Sequence, residues 1–416
     1  MKIKDVINYF FKTIILLFIV VLLLNNISVF ATDNIDVDSK AALMIEVNTG
    51  KVIYEKNAKE KLYPASVTKI LTAILVIENC KLDDVAIVSE NAISSVPDGY
   101  VIAPLFNGEQ MTIEDLLYAL MLKSSNDAAY VLAEHVGGSI DGFSKMMNEK
   151  ARELGCENTN FVNPNGIHNE NHYTTAYDLY LISKYAMQNE TFVKIVSTYK
   201  YTLSATNKYS KRDRVMQNTN NYVNPNSKYY NSSVKGIKTG TTLQAGNCLI
   251  TNIEMEGFDY IIVVLGADTS DAKFYETQKM MEYAFENYTF TPLHSKGDVI
   301  KTIEVDKATE ETKNLNLVIS DNVTVMNNIK INVKELEPEI VLNENIVAPI
   351  SKGQELGTVK FDVDGLEYNV KLLAENDVEL KTYYVEIAIC AGIVLVILLF
   401  IVIIKKKQRR KNKIRK

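Results

Sequence analysis

The spacing of apolar residues changes several times along the chain, and each change predicts a different kind of structure. An unbroken apolar run over 14–24 follows Lys2, Lys4 and Lys12 and precedes the small-residue site Val29-Phe30-Ala31. That order predicts a cleaved export segment over 1–31. Segments 41–47 and 51–54 flank Asn48-Thr49-Gly50 and predict a β-hairpin. After Pro64, the residues Ile70, Leu71, Ile74 and Leu75 recur at helical spacing, which predicts a helix over 66–78. Helical spacing returns over 113–122, 127–135, 143–154, 176–187 and 271–287. Strands are expected at 236–239, 248–254 and 260–266, with Glu256-Gly257 as a turn.

Strands at both ends of residues 32–292, with helices between them, predict an α/β (α+β) domain with an antiparallel sheet covered by helices. Beyond Pro292 the helical spacing stops. Short alternating runs at 316–319, 328–333, 358–363 and 368–373, separated by turns such as Lys352-Gly353 and Asp364-Gly365, predict a small all-β domain over 293–380. Residues 387–404 are apolar again and are followed at once by Lys405-Lys406-Lys407. This predicts a C-terminal transmembrane helix over 385–404 and a basic cytoplasmic tail over 405–416.

Charge narrows the partners. Without the export segment, the span and the tail, 33 basic residues face 49 acidic ones, a body near −16. Such a body disfavours nucleic acid as a partner. Cys80, Cys156 and Cys248 are scattered and make no disulfide framework, so packed thiols are expected. His168 and His172 are spaced like metal ligands but lie in an Asn-rich loop; packing or solvation is expected there, with no metal and no cofactor.

Ser-x-x-Lys begins at Ser66, Ser197, Ser232 and Ser270, where chance alone gives about two in a chain this long. Ser66 stands apart because it opens a strongly apolar helix. Serine and lysine three apart share a helix face, so the Lys69 amine falls within reach of the Ser66 hydroxyl. Apolar neighbours would desolvate Lys69 and lower its pKa, which suits a base. The helix start also offers unpaired N–H groups where an oxyanion could form. Ser124-Ser125-Asn126 follows as a polar interruption between two helices, and Lys238-Thr239-Gly240 opens a strand whose glycine lets a ligand approach the backbone.

Pro64-Ala65-Ser66-Val67-Thr68-Lys69, Ser124-Ser125-Asn126, Asn163-Pro164-Asn165-Gly166 and Gly236-Ile237-Lys238-Thr239-Gly240, in this order, resemble the motifs of the serine D-alanyl-D-alanine carboxypeptidases, the low-molecular-mass penicillin-binding proteins. The resemblance covers about 36–375, and the all-β segment is similar to that family's C-terminal domain. It implies the serine β-lactamase/D,D-peptidase fold and removal of terminal D-alanine from a peptidoglycan pentapeptide stem ending in D-Ala-D-Ala. It also implies β-lactams as covalent inhibitors. Ser66 would be the nucleophile and Lys69 its base. Ser124 would pass protons, with Lys238 supporting the electrostatics. Asn126 would hold the substrate amide, and Thr239 and Gly240 the end of the substrate. The backbone N–H groups of Ser66 and Thr241 would form the oxyanion hole. Many relatives carry histidine where this chain has Thr241, a departure that bears on rate more than on mechanism because the contribution is from the backbone. Lys273 falls near a basic residue that assists the substrate carboxylate in some relatives. Two alternatives stay open: a catalytically weak wall-binding or β-lactam-sensing protein of the same fold, and a class A-like β-lactamase. The latter lacks support because no glutamate over 127–237 has asparagine four residues on.

Overall fold

The structure, a computed structural model, describes residues 35–414; the expected export segment and the last two residues of the tail lie outside the described residues. The chain divides into two compact units, Met1–Glu286 and Asn287–Lys416. The division falls six residues before the expected boundary.

In the first unit β1 (Ala41–Glu46) and β2 (Val52–Lys56) form the expected hairpin. A 3-10 turn, Ala65–Thr68, leads into α1 (Lys69–Asn79), so the helix proper starts three residues after the predicted position. Then follow β3 (Val85–Ile87), α2 (Glu90–Ser94), β4 (Gln110–Thr112), α3 (Ile113–Met121), α4 (Asn126–Gly137) and α5 (Ile140–Glu153). Next come α6 (Ala176–Ala186), α7 (Glu190–Ser197), β5 (Lys200–Thr202) and β6 (Val215–Gln217). The unit closes with β7 (Val234–Thr242), β8 (Gly246–Met255), β9 (Phe258–Ala267) and α8 (Ala272–Asn287).

The main sheet has the order β2-β1-β9-β8-β7, antiparallel throughout. The N-terminal hairpin therefore docks on the last strands of the unit, with Ala41 opposite Leu265 and Glu46 opposite Tyr260. Both sheet faces are covered, which is why β1 is buried at all six positions instead of alternating. Leu43, Ile45, Ile261, Val263 and Ile250 face a helical layer built on α1, α3 and α4. On the other face Phe285 of α8 meets Tyr260 edge-on at 5.6 Å. Helix α1 is the centre of the helical layer, and its first eight residues, Lys69 to Val76, are all buried. A helix wrapped on every side has no polar stripe, so any charge placed in its first turn is dehydrated.

The second unit is all-β up to residue 374. β10 (Tyr288–His294) pairs with β13 (Val323–Asn328). β11 (Val299–Glu304), β12 (Asn314–Ile319), β14 (Glu339–Leu342), β15 (Glu355–Val363) and β16 (Leu366–Ala374) form a second sheet in the order β11-β12-β16-β15-β14. Leu315, Leu317, Val359, Phe361 and Leu372 make its core. The strand expected over 328–333 is not formed. Asn328 Oδ1 accepts the Lys330 N–H at 3.0 Å and Asn332 Oδ1 the Lys334 N–H at 3.4 Å, so two Asx turns replace the ladder. Helix α9 (Tyr384–Ile414) ends the description; its segment Ile387–Lys407 is long and apolar enough to cross a membrane. Cys80, Cys156 and Cys248 remain free thiols, as the sequence suggested.

Candidate active site

Ser66 sits in the 3-10 turn, and Lys69 opens α1 directly behind it. Lys69 is fully buried. Its Nζ lies 3.1 Å from Ser66 Oγ, 2.9 Å from Asn126 Oδ1 and 2.7 Å from the Asn165 carbonyl oxygen. Burial, and then the nearby Lys238 charge, hold the Lys69 amine well below its ordinary pKa, with Asp127 opposing the fall. A neutral amine has two N–H bonds and one lone pair. The two carbonyl oxygens occupy the N–H bonds, which leaves the lone pair for the Ser66 hydroxyl proton.

The other motifs converge on this pair. The segment between α3 and α4 turns sharply at Ser124, whose φ of +66° is unusual for a residue with a Cβ. Ser124 and Asn126 then line a cleft of about 330 Å³ together with Ser66 and Thr241. Asn126 is pinned twice to the opposite segment, through its backbone N–H and its Nδ2, both donating to the Val101 carbonyl at 2.9 Å. Asp127 grips the same segment by accepting the Ala103 N–H at 3.0 Å and the Leu105 N–H at 3.3 Å.

On the other wall β7 runs past the nucleophile turn. A Cβ on Gly240 would sit 3.0 Å from the Ser66 backbone nitrogen and 3.1 Å from Ala65 Cβ, so glycine is what allows this approach. Gly166 makes a tighter contact from a third direction: a Cβ there would lie 1.8 Å from the Ala65 carbonyl oxygen, and its φ is +81°. Lys238 is almost fully buried, donates to the Thr239 carbonyl at 3.0 Å, and is pushed down to about 7 by burial and then by Lys273. Lys273 is itself buried and lowered by that burial. Thr239 Oγ1 shares a hydrogen bond of 2.6 Å with Thr219 Oγ1. Thr241 lines the cleft, whereas Lys238, Thr239, Gly240 and Lys273 are not among its lining residues.

Sequence reasoning missed the Asn165 carbonyl, Thr219 and the clamp made by Asp127. A backbone carbonyl has no residue signature, and Asp127 reads as an ordinary first-turn acid. His172 proves to be packed. Its Nδ1 accepts the Val162 N–H at 3.1 Å and its Nε2 lies 2.9 Å from Thr68 Oγ1. Thr68 Oγ1 in turn donates to the Ala65 carbonyl at 2.9 Å. Burial, followed by the charges of Lys69 and His168, pushes His172 down to about 3.

Residues 28–269 match the family model described as D-alanyl-D-alanine carboxypeptidase. The chain belongs to that family. Residues 288–380 match a second model, the C-terminal domain of penicillin-binding protein 5. The carboxypeptidase is 35% identical over 350 residues to D-alanyl-D-alanine carboxypeptidase DacF of Bacillus subtilis (strain 168), covering 83% of this chain and 85% of the relative. It is 30% identical over 367 residues to DacC of Escherichia coli (strain K12), covering 82% and 84%. Among solved structures it is similar to penicillin binding protein 5 from Haemophilus influenzae, with a TM-score of 0.64, 26% identity and coverage of 83% and 99%. These relatives make the chain a serine peptidase of this family and favour that assignment over the β-lactamase and sensor alternatives.

Proposed function

We propose that Ser66 attacks the carbonyl of the penultimate D-alanine of a peptidoglycan stem peptide. Lys69 takes the hydroxyl proton as the Oγ–C bond forms. The tetrahedral oxyanion is held by the N–H groups of Ser66 and Thr241, donors of a kind worth roughly 3–4 kcal/mol each. The proton passes by way of Ser124 to the leaving nitrogen, the amide bond breaks, and free D-alanine departs. Water then attacks the ester on Ser66, giving a proton to Lys69, which returns it to Ser66 Oγ as the ester C–O bond breaks and the shortened stem leaves. Lys238 supports the electrostatics, Asn126 holds the substrate amide, and Thr239, Gly240 and Lys273 receive the terminal D-alanine and its carboxylate. β-Lactams acylate the same hydroxyl.

The observation that carries this assignment is the 3.1 Å separation of Lys69 Nζ from Ser66 Oγ, with the amine dehydrated and its two N–H bonds taken up by carbonyl oxygens. The chain is exported by residues 1–31 and held by the apolar segment of α9, with the catalytic domain outside and the basic tail in the cytoplasm. The domain over 293–380 serves as a spacer. Full-length protein in detergent should release D-alanine from a synthetic D-alanyl-D-alanine peptide and gain one penicillin mass on the fragment holding Ser66. Ser66→Ala should do neither, and a Ser66→Ala protein that still takes up penicillin overturns the assignment.

A further inference from the structure

Two cavities on the first unit take no part in the chemistry above. One, of about 480 Å³, is floored by Tyr222, Met281 and Phe285 and edged by Glu256, Gln278 and Glu286. The other, of about 340 Å³, lies where α7 meets the start of β7 and is lined in part by Val193, Ser232, Lys235 and Glu254. Tyr230 and Asn231 line both, so the two join into one groove. Each volume falls in the range of about 300–1,000 Å³ usual for ligand clefts.

The shared residues are fixed by main-chain bonds. The Tyr230 N–H donates to the Ser227 carbonyl at 3.1 Å and the Asn231 N–H to the Tyr222 carbonyl at 3.0 Å. Asn231 Oδ1 accepts the Ser233 N–H at 2.9 Å, and the buried Tyr222 donates its hydroxyl to the Phe274 carbonyl at 2.6 Å. On this rigid loop the Tyr230 ring stays 50% exposed. Its hydroxyl, Asn231 Nδ2, Ser232 Oγ and the charged groups of Lys235, Glu254 and Glu256 have no hydrogen bond or ion pair among the described residues.

An exposed aromatic face beside free donors and acceptors suits a pyranose ring. One face of such a ring presents only C–H groups, which pack on an aromatic ring, while its edge carries hydroxyls and amides. The carboxylates of Glu254, Glu256 and Glu286 face one unpaired lysine, Lys235, because Lys228 is tied to Asp271 at 3.0 Å. That balance disfavours an anionic polymer. Two cavities flanking one tyrosine match a repeating chain and not a single sugar. Val234 opens β7, and Gly240, six residues on, touches the Ser66 turn. At about 3.3 Å per residue the groove lies about 20 Å from the nucleophile, at the end of β7 remote from the cleft.

We infer that the groove at Tyr230 binds a neutral, amide-bearing polysaccharide chain. The binding is independent of the acyl-transfer chemistry. Only its use, holding a hydrolase on the polymer that carries its peptides, rests on the proposed function.

The probe is a soluble β-1,4-linked hexamer of N-acetylglucosamine, titrated by calorimetry into full-length protein in a detergent without a sugar headgroup, with hexalysine for comparison. Wild type should bind the hexamer with a Kd of about 0.1–1 mM, and Tyr230→Phe should match it. Tyr230→Ala should bind at least about tenfold more weakly. Ser232→Leu, at an exposed position, narrows the smaller cavity and should weaken binding in the same direction. These variants should release D-alanine from a free acetylated D-alanyl-D-alanine peptide at the wild-type rate. No binding by wild type, or equal binding by wild type, Tyr230→Ala and Ser232→Leu, would overturn the inference. So would tighter binding of hexalysine, which would make the groove a cation site. Failure of wild type to release D-alanine would overturn the hydrolase and leave the sugar site standing.

Discussion

Asn126→Asp replaces one amide nitrogen by oxygen and adds one charge close to the base. The Asn126 Oδ1 lies 2.9 Å from Lys69 Nζ in a site where Asn126 itself is only 4% exposed. At an effective dielectric of about 20, opposite charges at that separation attract by about 6 kcal/mol. Taken whole, this would raise the Lys69 pKa by about four units. Burying the new carboxylate offsets part of the gain, so a net rise of about one to three units is expected. Below the raised pKa the amine keeps its proton and loses its lone pair. Acylation by a fluorescent penicillin, followed as a pseudo-first-order rate from pH 5 to 10, should fall by up to about 10- to 10³-fold at pH 7, the most that a rise of one to three units removes from the neutral amine. It should recover as the pH rises, with the acid limb displaced upward by one or more units. Asn126→Ala, which removes the hydrogen bond without adding charge, should slow acylation without moving the limb upward. An Asn126→Asp protein with native circular dichroism and an acid limb at the wild-type pH would refute the role of Lys69 as the neutral base.

Two further outcomes follow from the buried lysines and the crowded glycine. Lys238 falls from an ordinary lysine value to about 7 on folding, so between about pH 7 and 10.5 the unfolded chain binds a proton that the folded chain does not. The cost of this group is complete below pH 7 and vanishes above about 10.5. Lys238→Met should therefore melt above wild type near pH 6–7, with a gap that closes toward pH 10.5, while losing acylation; a gap that is the same at every pH would refute this. Gly166→Ala places a methyl carbon 1.8 Å from the Ala65 oxygen at a positive φ, so it should cost at least about 2 kcal/mol in chemical denaturation and abolish penicillin labelling. Wild-type stability and labelling in that variant would show that the turn holding Ser66 does not depend on this contact.

The catalytic unit was legible where local pattern and tertiary packing agree. The hairpin β1–β2, the helices α3 to α6 and the strands β8 and β9 all have a period and an end signal that packing then uses. The second unit was legible in class but not in register: the residues after Asn328 alternate like a strand, yet their asparagine side chains take the backbone into turns. The short pairs β3–β4 and β5–β6, of three residues each, are below the length at which alternation is distinguishable. In the site, side-chain chemistry could be anticipated because Ser66 and Lys69 are three apart on one turn. The contributions of Asn165 and Gly166 could not. One works through a main-chain oxygen and the other through an absent methyl, and both depend on a loop about a hundred residues downstream folding back on the nucleophile turn.

The imidazole of His172 stays uncharged down to about pH 3, locked between Val162 and Thr68. Mild acid therefore leaves the strut from His172 through Thr68 to Ala65 intact, and the imidazole serves the turn that carries Ser66 as a neutral prop and not as an acid or a base.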